Sequence, residues 1–282
     1  MTVKIVTDSL SDITEDLAKE MGLTVVPLTV FFGHESFLDR VTINTDEFYR
    51  RLAQGTIWPT TTQPPPGDFV NVYNKLAKKT DEILVITLSS KLSGTYQSAS
   101  QAKEMVEGKC RIEVIDSRKV AMSLGLIVIS ATKAAQAGAK LDELVDLVNK
   151  AIPRSHLIAY FDTLKYLAKG GRIGKAQGML GAMLSIKPIL TIKDGEMSPL
   201  TKLRSKAAGM DYLYNYVAGF SNIEELAVEH ATTPEVADEL TDSLSSLFPR
   251  DRIYQSTISP VVGTYAGPNA LAVSVLEADK GK

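Results

Sequence analysis

The chain has 282 residues, 44% of them hydrophobic, enough for one large domain or two modest ones with a substantial core. Its 31 basic and 33 acidic residues leave a formal net charge of −2, which argues against a global attraction to nucleic acid or anionic membrane. A single cysteine, Cys110, excludes an intrachain disulfide framework, so a reducing, cytoplasmic setting is expected.

The N-terminal stretch VKIVTDS reads as a strand and lacks the basic start and apolar run of a signal peptide. ITEDLAKEMG follows as a helix closed by Gly22. LTVVPLTVFF reads as a second strand, with Pro27 marking an edge or a bulge. NTDEFYRRLAQG is a helix capped by Asn44 or Thr45 and stopped by Gly55. WPTTTQPPPGD, with its prolines, reads as a rigid loop. A helix over GDFVNVYNKLAKK, the strand EILVITL, a helix from about Gly94 to Glu107 and the strand RIEVIDS come next. The run AMSLGLIVISA (Ala121 to Ala131) is too short to span a membrane and is expected as part of a buried helix from about Lys119 to Gly138. LDELVDLVNKAI is the last helix of this half. The alternation is that of a parallel sheet covered on both faces.

Beyond Pro153 the alternation ends, which suggests an α/β domain over residues 1–152 and an α+β domain over residues 153–282, with a ligand cleft between them. LIAYFDTL and KPILTI read as strands, and Asp194-Gly195 in KDGEMSPLTK signals a hairpin. ELAVEHA and RIYQSTISPVVGTY read as strands flanking the helix PEVADELTDSLSSLF, and NALAVSVLEA as a final helix or strand.

Candidate chemistry concentrates in SSKLSGTYQSA (Ser89 to Ala99), between a strand and a helix. Ser93 as a nucleophile needs a base and an orienting group. The chain has three histidines: His156 and His230 lie in apolar strand-like stretches, and His34 in a turn. Lys91, two residues from Ser93, is a weak partner, and no G-x-S-x-G elbow is present. Ser93, Gly94 and Thr95 alternatively suit anion capture at a helix N-terminus, where free N–H groups and hydroxyls receive a carboxylate or phosphate. An ordinary helix cap explains one serine equally well. Asp8 and Ser9, after the first strand, are open to the same two readings. The threonines of PTTTQP can complete an anion site or satisfy their own backbone.

In KGGRIGKAQGMLGAML, a P-loop is excluded because Ala176 follows Gly174-Lys175. Gly178 and Gly181 are expected to serve close helix packing, while Arg172 beside a glycine pair suits an anionic group. Arg204, past the predicted hairpin, is a second candidate for that face; either arginine is equally explained as a surface charge. Cys110 has no partner at metal-ligand spacing, and no dinucleotide fingerprint follows the first strand, so neither metal nor cofactor is expected.

KIVTDSLSDI, VVPLTVFFG, FYRRLAQG, PTTTQPPPGDF, ILVITLSSKLSGTYQSA, VIDS, GGRI and VVGTYAGPNAL occur in this order. From Lys4 to about Val275 the chain resembles the DegV family, which includes the fatty-acid-binding subunits of bacterial fatty acid kinase. The resemblance implies two α/β-type domains with a long acyl chain buried between them and no chemistry of the protein's own. It implies that the fatty acid carboxylate is held by Thr62 and Ser93, with Thr61 adjacent and the backbone N–H of Gly94 contributing. It further implies that Arg172 and Arg204 work with a separate kinase subunit that phosphorylates the bound acid. Family members often read G-T-H-x-G-P-G near the C-terminus, whereas this chain has Tyr265 at the histidine position. A phenol donates a hydrogen bond but carries no positive charge. Three readings follow: an acid carrier that presents its carboxylate to a kinase, a Ser93-dependent hydrolase or phosphotransfer enzyme, and a lipid-sensing regulatory module. The missing base, metal and nucleotide motifs weigh against the second. For a carrier, the helix expected after Gly170 is the segment that should move, and GKAQGMLGAMLSI suits a tunnel wall because methionine adapts to irregular shapes.

Overall fold

The computed structural model describes residues 2–180 and 186–279. Short apolar runs build its first sheet. β1 (Lys4–Asp8), β2 (Thr24–Val26), β6 (Glu82–Thr87) and β7 (Arg111–Asp116) lie in the order β2-β1-β6-β7, all parallel. Strands buried on both faces need no polar side, and β6 is buried from Ile83 to Thr87. Around the sheet run α1 (Glu15–Met21), α3 (Pro66–Ala77), α4 (Thr95–Met105), α5 (Met122–Gln136) and α6 (Leu141–Ala151).

The stretch LTVVPLTVFF is two strands, not one. It breaks at Pro27, which has no N–H for the ladder. Leu28 N–H instead donates to Ser9 Oγ at 3.1 Å. Past the break, β3 (Thr29–Phe32) joins a separate antiparallel sheet with β4 (Glu35–Leu38) and β5 (Thr60–Thr62), in the order β4-β3-β5. The expected loop WPTTTQPPPGD therefore contains an edge strand, because three β-branched threonines precede the prolines that end it. Between β4 and β5 lies α2 (Thr45–Gln54), capped by Asn44 and stopped at Gly55.

The third sheet comprises β8 (Ser155–Tyr160), β9 (Lys187–Lys193), β10 (Glu196–Leu203), β11 (Ile223–His230), β12 (Ile253–Thr257) and β13 (Leu271–Glu277), in the order β10-β9-β8-β13-β11-β12. Its neighbours are antiparallel except β11 and β12. The final segment is thus a central strand. RIYQSTISPVVGTY is strand only to Thr257; Ser259 caps α10 (Pro260–Ala266), whose first residue is a proline with preset φ. A helix that the sequence reading leaves unassigned, α8 (Lys206–Ala218), packs with α9 (Pro234–Leu244) on this sheet. Between Gly170 and β9 no α-helix lies among the described residues. α7 (Lys165–Lys169) ends there, and Gly174–Met179 is a 3-10 turn in which Gly178 faces open space. Gly181 and the rest of the predicted tunnel wall through Ser185 lie outside the described residues.

α5 joins the halves. It is apolar on nearly every face, as a helix enclosed by protein requires, and it packs on β1 as well as on β8, β11 and β13. Beside it sits a buried polar knot. Arg40 donates to the carbonyls of Thr257, Asp12 and Ile13, and its guanidinium lies 3.7 Å from Asp12 Oδ1. Ser259 N–H donates to Asp12 Oδ1 at 3.3 Å, and Val261 N–H to Asp39 Oδ1 at 3.4 Å. Glu229 accepts from Met122 N–H at 3.0 Å.

Burial pushes the Asp39 carboxyl up to about 7, against the pull of the Ser9 hydroxyl and Arg40. Burial likewise raises Asp8 to about 7, although the N–H groups of Leu88 and Leu10 favour its charged form. Burial, with the Asp12 carboxyl beside it, pushes the Glu229 carboxyl well above the usual carboxylate range. A carboxyl raised in the folded state binds more protons there than in the unfolded chain, so its contribution to stability is lost as pH rises towards 7. Each pH unit in that window changes the contribution of a group by about 1.4 kcal/mol. His156 and His230, lowered chiefly by burial, act in the opposite direction. Asp39→Asn is expected to reduce the loss of stability between pH 5 and pH 7 relative to the parent, measured by urea unfolding across pH; an unchanged slope would show that Asp39 does not titrate there.

Candidate functional site

β5 is an edge strand paired with β3, so its side chains alternate: Thr61 is half-buried while Thr60 and Thr62 are exposed. The Thr61 hydroxyl meets the Tyr265 hydroxyl at 2.5 Å. Tyr265 comes from α10, more than two hundred residues later. Its ring is fixed by the end of α7, where a Cβ on Gly170 would lie 2.3 Å from the ring. The Arg172 guanidinium stands 5.2 Å from the centre of the same ring, within cation–π range. Arg172 Nε also donates to Leu92 C=O at 3.2 Å and Nη1 to Gly170 C=O at 2.8 Å. Trp58, stacked on Tyr166 at 4.9 Å, extends this aromatic rim.

Leu92 belongs to the loop between β6 and α4, which carries Ser93. The Ser93 and Thr95 hydroxyls are 2.9 Å apart. Gly94 is the N-cap of α4, so the N–H groups of the first helical turn have no intrahelical acceptor. Gln63 packs directly on Gly94, where a Cβ would lie 2.7 Å from Gln63 Nε2.

These residues surround the open end of a pocket of ≈ 890 Å³, mouth included. Its polar lining consists of Thr61, Thr62, Gln63, Ser93, Arg172 and Tyr265. Thr62, Gln63 and Arg172 are exposed, which places the polar patch at the mouth. The rest of the lining is apolar and comes from both halves of the chain: Leu10, Leu28, Leu88 and Val120 from the first, and Leu157, Phe161, Met197 and Val261 among those from the second. Arg172 is the charged residue in the described lining, which contains no histidine, lysine or carboxylate. Ser93 thus has no general base beside it among the described lining residues. Such a space accepts a long apolar body with one small anionic or polar end.

The sequence-derived candidates separate in space. Thr61, Thr62, Ser93, Gly94, Arg172 and Tyr265 come together at the mouth. Arg204 is exposed in the bend between β10 and α8 and does not line the pocket. Asp8 accepts from the N–H groups of Leu10 and Leu88, and the Ser9 hydroxyl donates to Asp39; both residues are buried and do not line the pocket. His156 pairs with Glu277 at 2.6 Å. Gln63 is a lining residue that the sequence reading passes over, although it stands between Thr62 and Pro64 in the same motif. Among the described residues no group of His, Cys, Asp and Glu side chains could hold a metal ion, and no helix is long and apolar enough to cross a membrane.

A family model described as "Uncharacterised protein, DegV family" matches residues 2–278. The chain belongs to the DegV family. A DegV domain-containing protein of Caldanaerobacter subterraneus subsp. tengcongensis is 42% identical over 274 residues, 96% of this chain and 97% of that one. Among solved structures, a fatty-acid-binding DegV family protein from Thermus thermophilus superimposes with a TM-score of 0.90 at 28% identity, covering 99% of this chain and 100% of that one. DegV of Bacillus subtilis, described as a fatty acid binding protein, gives 0.90 at 27% identity with the same coverage. The two-domain α/β architecture of this DegV chain is that of these structures. Because the Tyr265 ring leaves no room at Gly170, Gly170→Ala is expected to destabilise the protein by about 1–3 kcal/mol. Urea unfolding checks this; an unchanged midpoint would show that the ring moves freely.

Proposed function

We propose that this protein binds one long-chain fatty acid and presents its carboxylate to a separate fatty acid kinase. The observation that carries the reading is the segregation of the pocket: apolar along its length, polar at the mouth. The tail lies against side chains of both domains, taken as residues 1–152 and 153–282. The carboxylate meets Thr62, Ser93, the Gly94 N–H and the Thr61–Tyr265 hydroxyl pair. The fatty acids bound by the Thermus thermophilus and Bacillus subtilis relatives support this assignment.

The energetics fit a carrier. Burying about fourteen methylenes is worth roughly 11 kcal/mol gross, at about 0.8 kcal/mol each. Ordering and immobilising the chain offsets a share of that. The head group then needs orientation more than affinity, and hydroxyls with one helix terminus provide it. Arg172 at the mouth and Arg204 outside the pocket are assigned to the kinase contact. The protein has no catalytic step of its own in this reading, and it acts in the cytoplasm with no cofactor.

Native mass spectrometry of freshly purified protein, followed by solvent extraction, tests the assignment. One bound long-chain acid per chain is expected. The double variant Ser93→Ala/Thr62→Ala should weaken acid binding by about tenfold or more per hydroxyl lost, as hydrogen bonds to a charged group are worth about 1.5–3 kcal/mol. Protein that stays empty when offered fatty acids would overturn the reading. Arg204→Ala should keep its bound acid while its phosphorylation by the partner kinase falls; equal turnover would remove Arg204 from the contact.

A further inference from the structure

The loop that carries Ser93 is organised by a residue outside the pocket lining. Ser89 is fully buried. Its carbonyl accepts from Leu92 N–H at 3.0 Å and from Ser93 N–H at 3.2 Å, closing the turn that sets Ser93. Its own N–H donates to Lys119 C=O at 2.8 Å. Its hydroxyl accepts from Lys91 N–H at 3.2 Å and donates to Gly195 C=O at 2.8 Å.

Gly195 belongs to the other half of the chain. With Asp194 it forms the two-residue turn joining β9 and β10, and both residues have positive φ, 55° and 84°. Gly195 is buried against the first half, while Asp194 is exposed. A Cβ on Gly195 would lie 2.6 Å from Ser89 Oγ and 3.2 Å from Lys91 Cγ. On the exposed side of the tip, Lys175 Nζ lies 3.4 Å from the Asp194 carboxylate. Met197, two residues past the tip, lines the pocket.

We propose that Ser89 and Gly195 are positioning residues for carboxylate recognition: the hairpin tip seats the Ser89–Ser93 turn and thereby sets the Ser93 hydroxyl and the Gly94 N–H at the pocket mouth. The proposal rests on the fatty-acid reading above. Neither residue touches the ligand. The tip crosses from the second domain to the first, so the head-group site is complete only when the two domains are seated on each other. Arg172, bonded to Leu92 C=O, holds the same loop from a second direction.

The test separates head from tail. Binding of palmitic and oleic acid is measured beside binding of their methyl esters, which keep the chain and lose the charge. The parent should prefer the acids. Ser89→Ala should weaken acid binding about tenfold, the value of one hydrogen bond of about 1.4 kcal/mol, and change ester binding less than about twofold. Ser89→Thr, which keeps the hydroxyl, should restore the acid preference. Gly195→Ala should act in the same direction more strongly; if it fails to fold, the two Ser89 variants decide. An equal loss for acid and ester would make Ser89 a scaffold residue only and overturn the proposal, as would unchanged acid binding. A parent protein that binds acid and ester alike, or neither, would overturn the carboxylate reading itself and the proposal with it.

Discussion

An apolar space between two sheets persists only if something other than its own walls holds the sheets apart, because protein interiors otherwise close to crystal-like density. In this chain Arg40 and its buried carboxyl neighbours do that. Asp12, Asp39 and Arg40 come from the first half of the chain; the Thr257 carbonyl, the N–H groups of Ser259 and Val261, and Glu229 come from the second. Leu10, Ile258 and Val261, which line the pocket, belong to these same segments. Removing one charge would strand the others in a dry site, a loss of several kcal/mol by analogy with other buried pairs. The polar knot thus sets the geometry around which the pocket, α5 and the loop at the mouth are arranged.

Across the mouth the ties are of a different kind. Ser89 with Gly195 and Arg172 with Leu92 are hydrogen bonds to neutral acceptors, both of them backbone carbonyls at turns. Such bonds contribute about 1 kcal/mol each. The knot beside the apolar lining is therefore the stronger fastening and the mouth the weaker one. That asymmetry suits the proposed carrier, which retains a tail and exposes a head.

Much of the fold is legible locally. The runs KIVTD and EILVIT announce buried parallel strands because no alternation is needed there, and Asn44, Gly22 and Gly55 mark helix ends through their own chemistry. The misreadings are those where a neighbour decides. Nothing in LTVVPLTVFF says that the chain changes sheets at Pro27, since the Ser9 hydroxyl that receives Leu28 N–H is distant in sequence. Thr60–Thr62 becomes a strand because β3 offers an edge. α8 was readable at its cap, Ser205, but its interleaved tyrosines and Gly209 blur the helical period. At the site, the hydroxyl-bearing stretches and Arg172 stand out in the letters. The apolar lining does not: it is gathered from segments that look like ordinary core until the two sheets face each other.

The contact between Thr61 and Tyr265 has a consequence in proton arithmetic. Each hydroxyl has one hydrogen, and the bond between them uses one of the two. If Tyr265 donates, the hydrogen left to point outward is on the threonine; if Thr61 donates, it is on the phenol. The pair therefore always offers a single donor, and rotating two hydrogens moves that donor from the edge strand to the helix without displacing a heavy atom. In the proposed carrier, head groups seated at slightly different depths, as tails of unequal length would leave them, can be met by the same rigid frame.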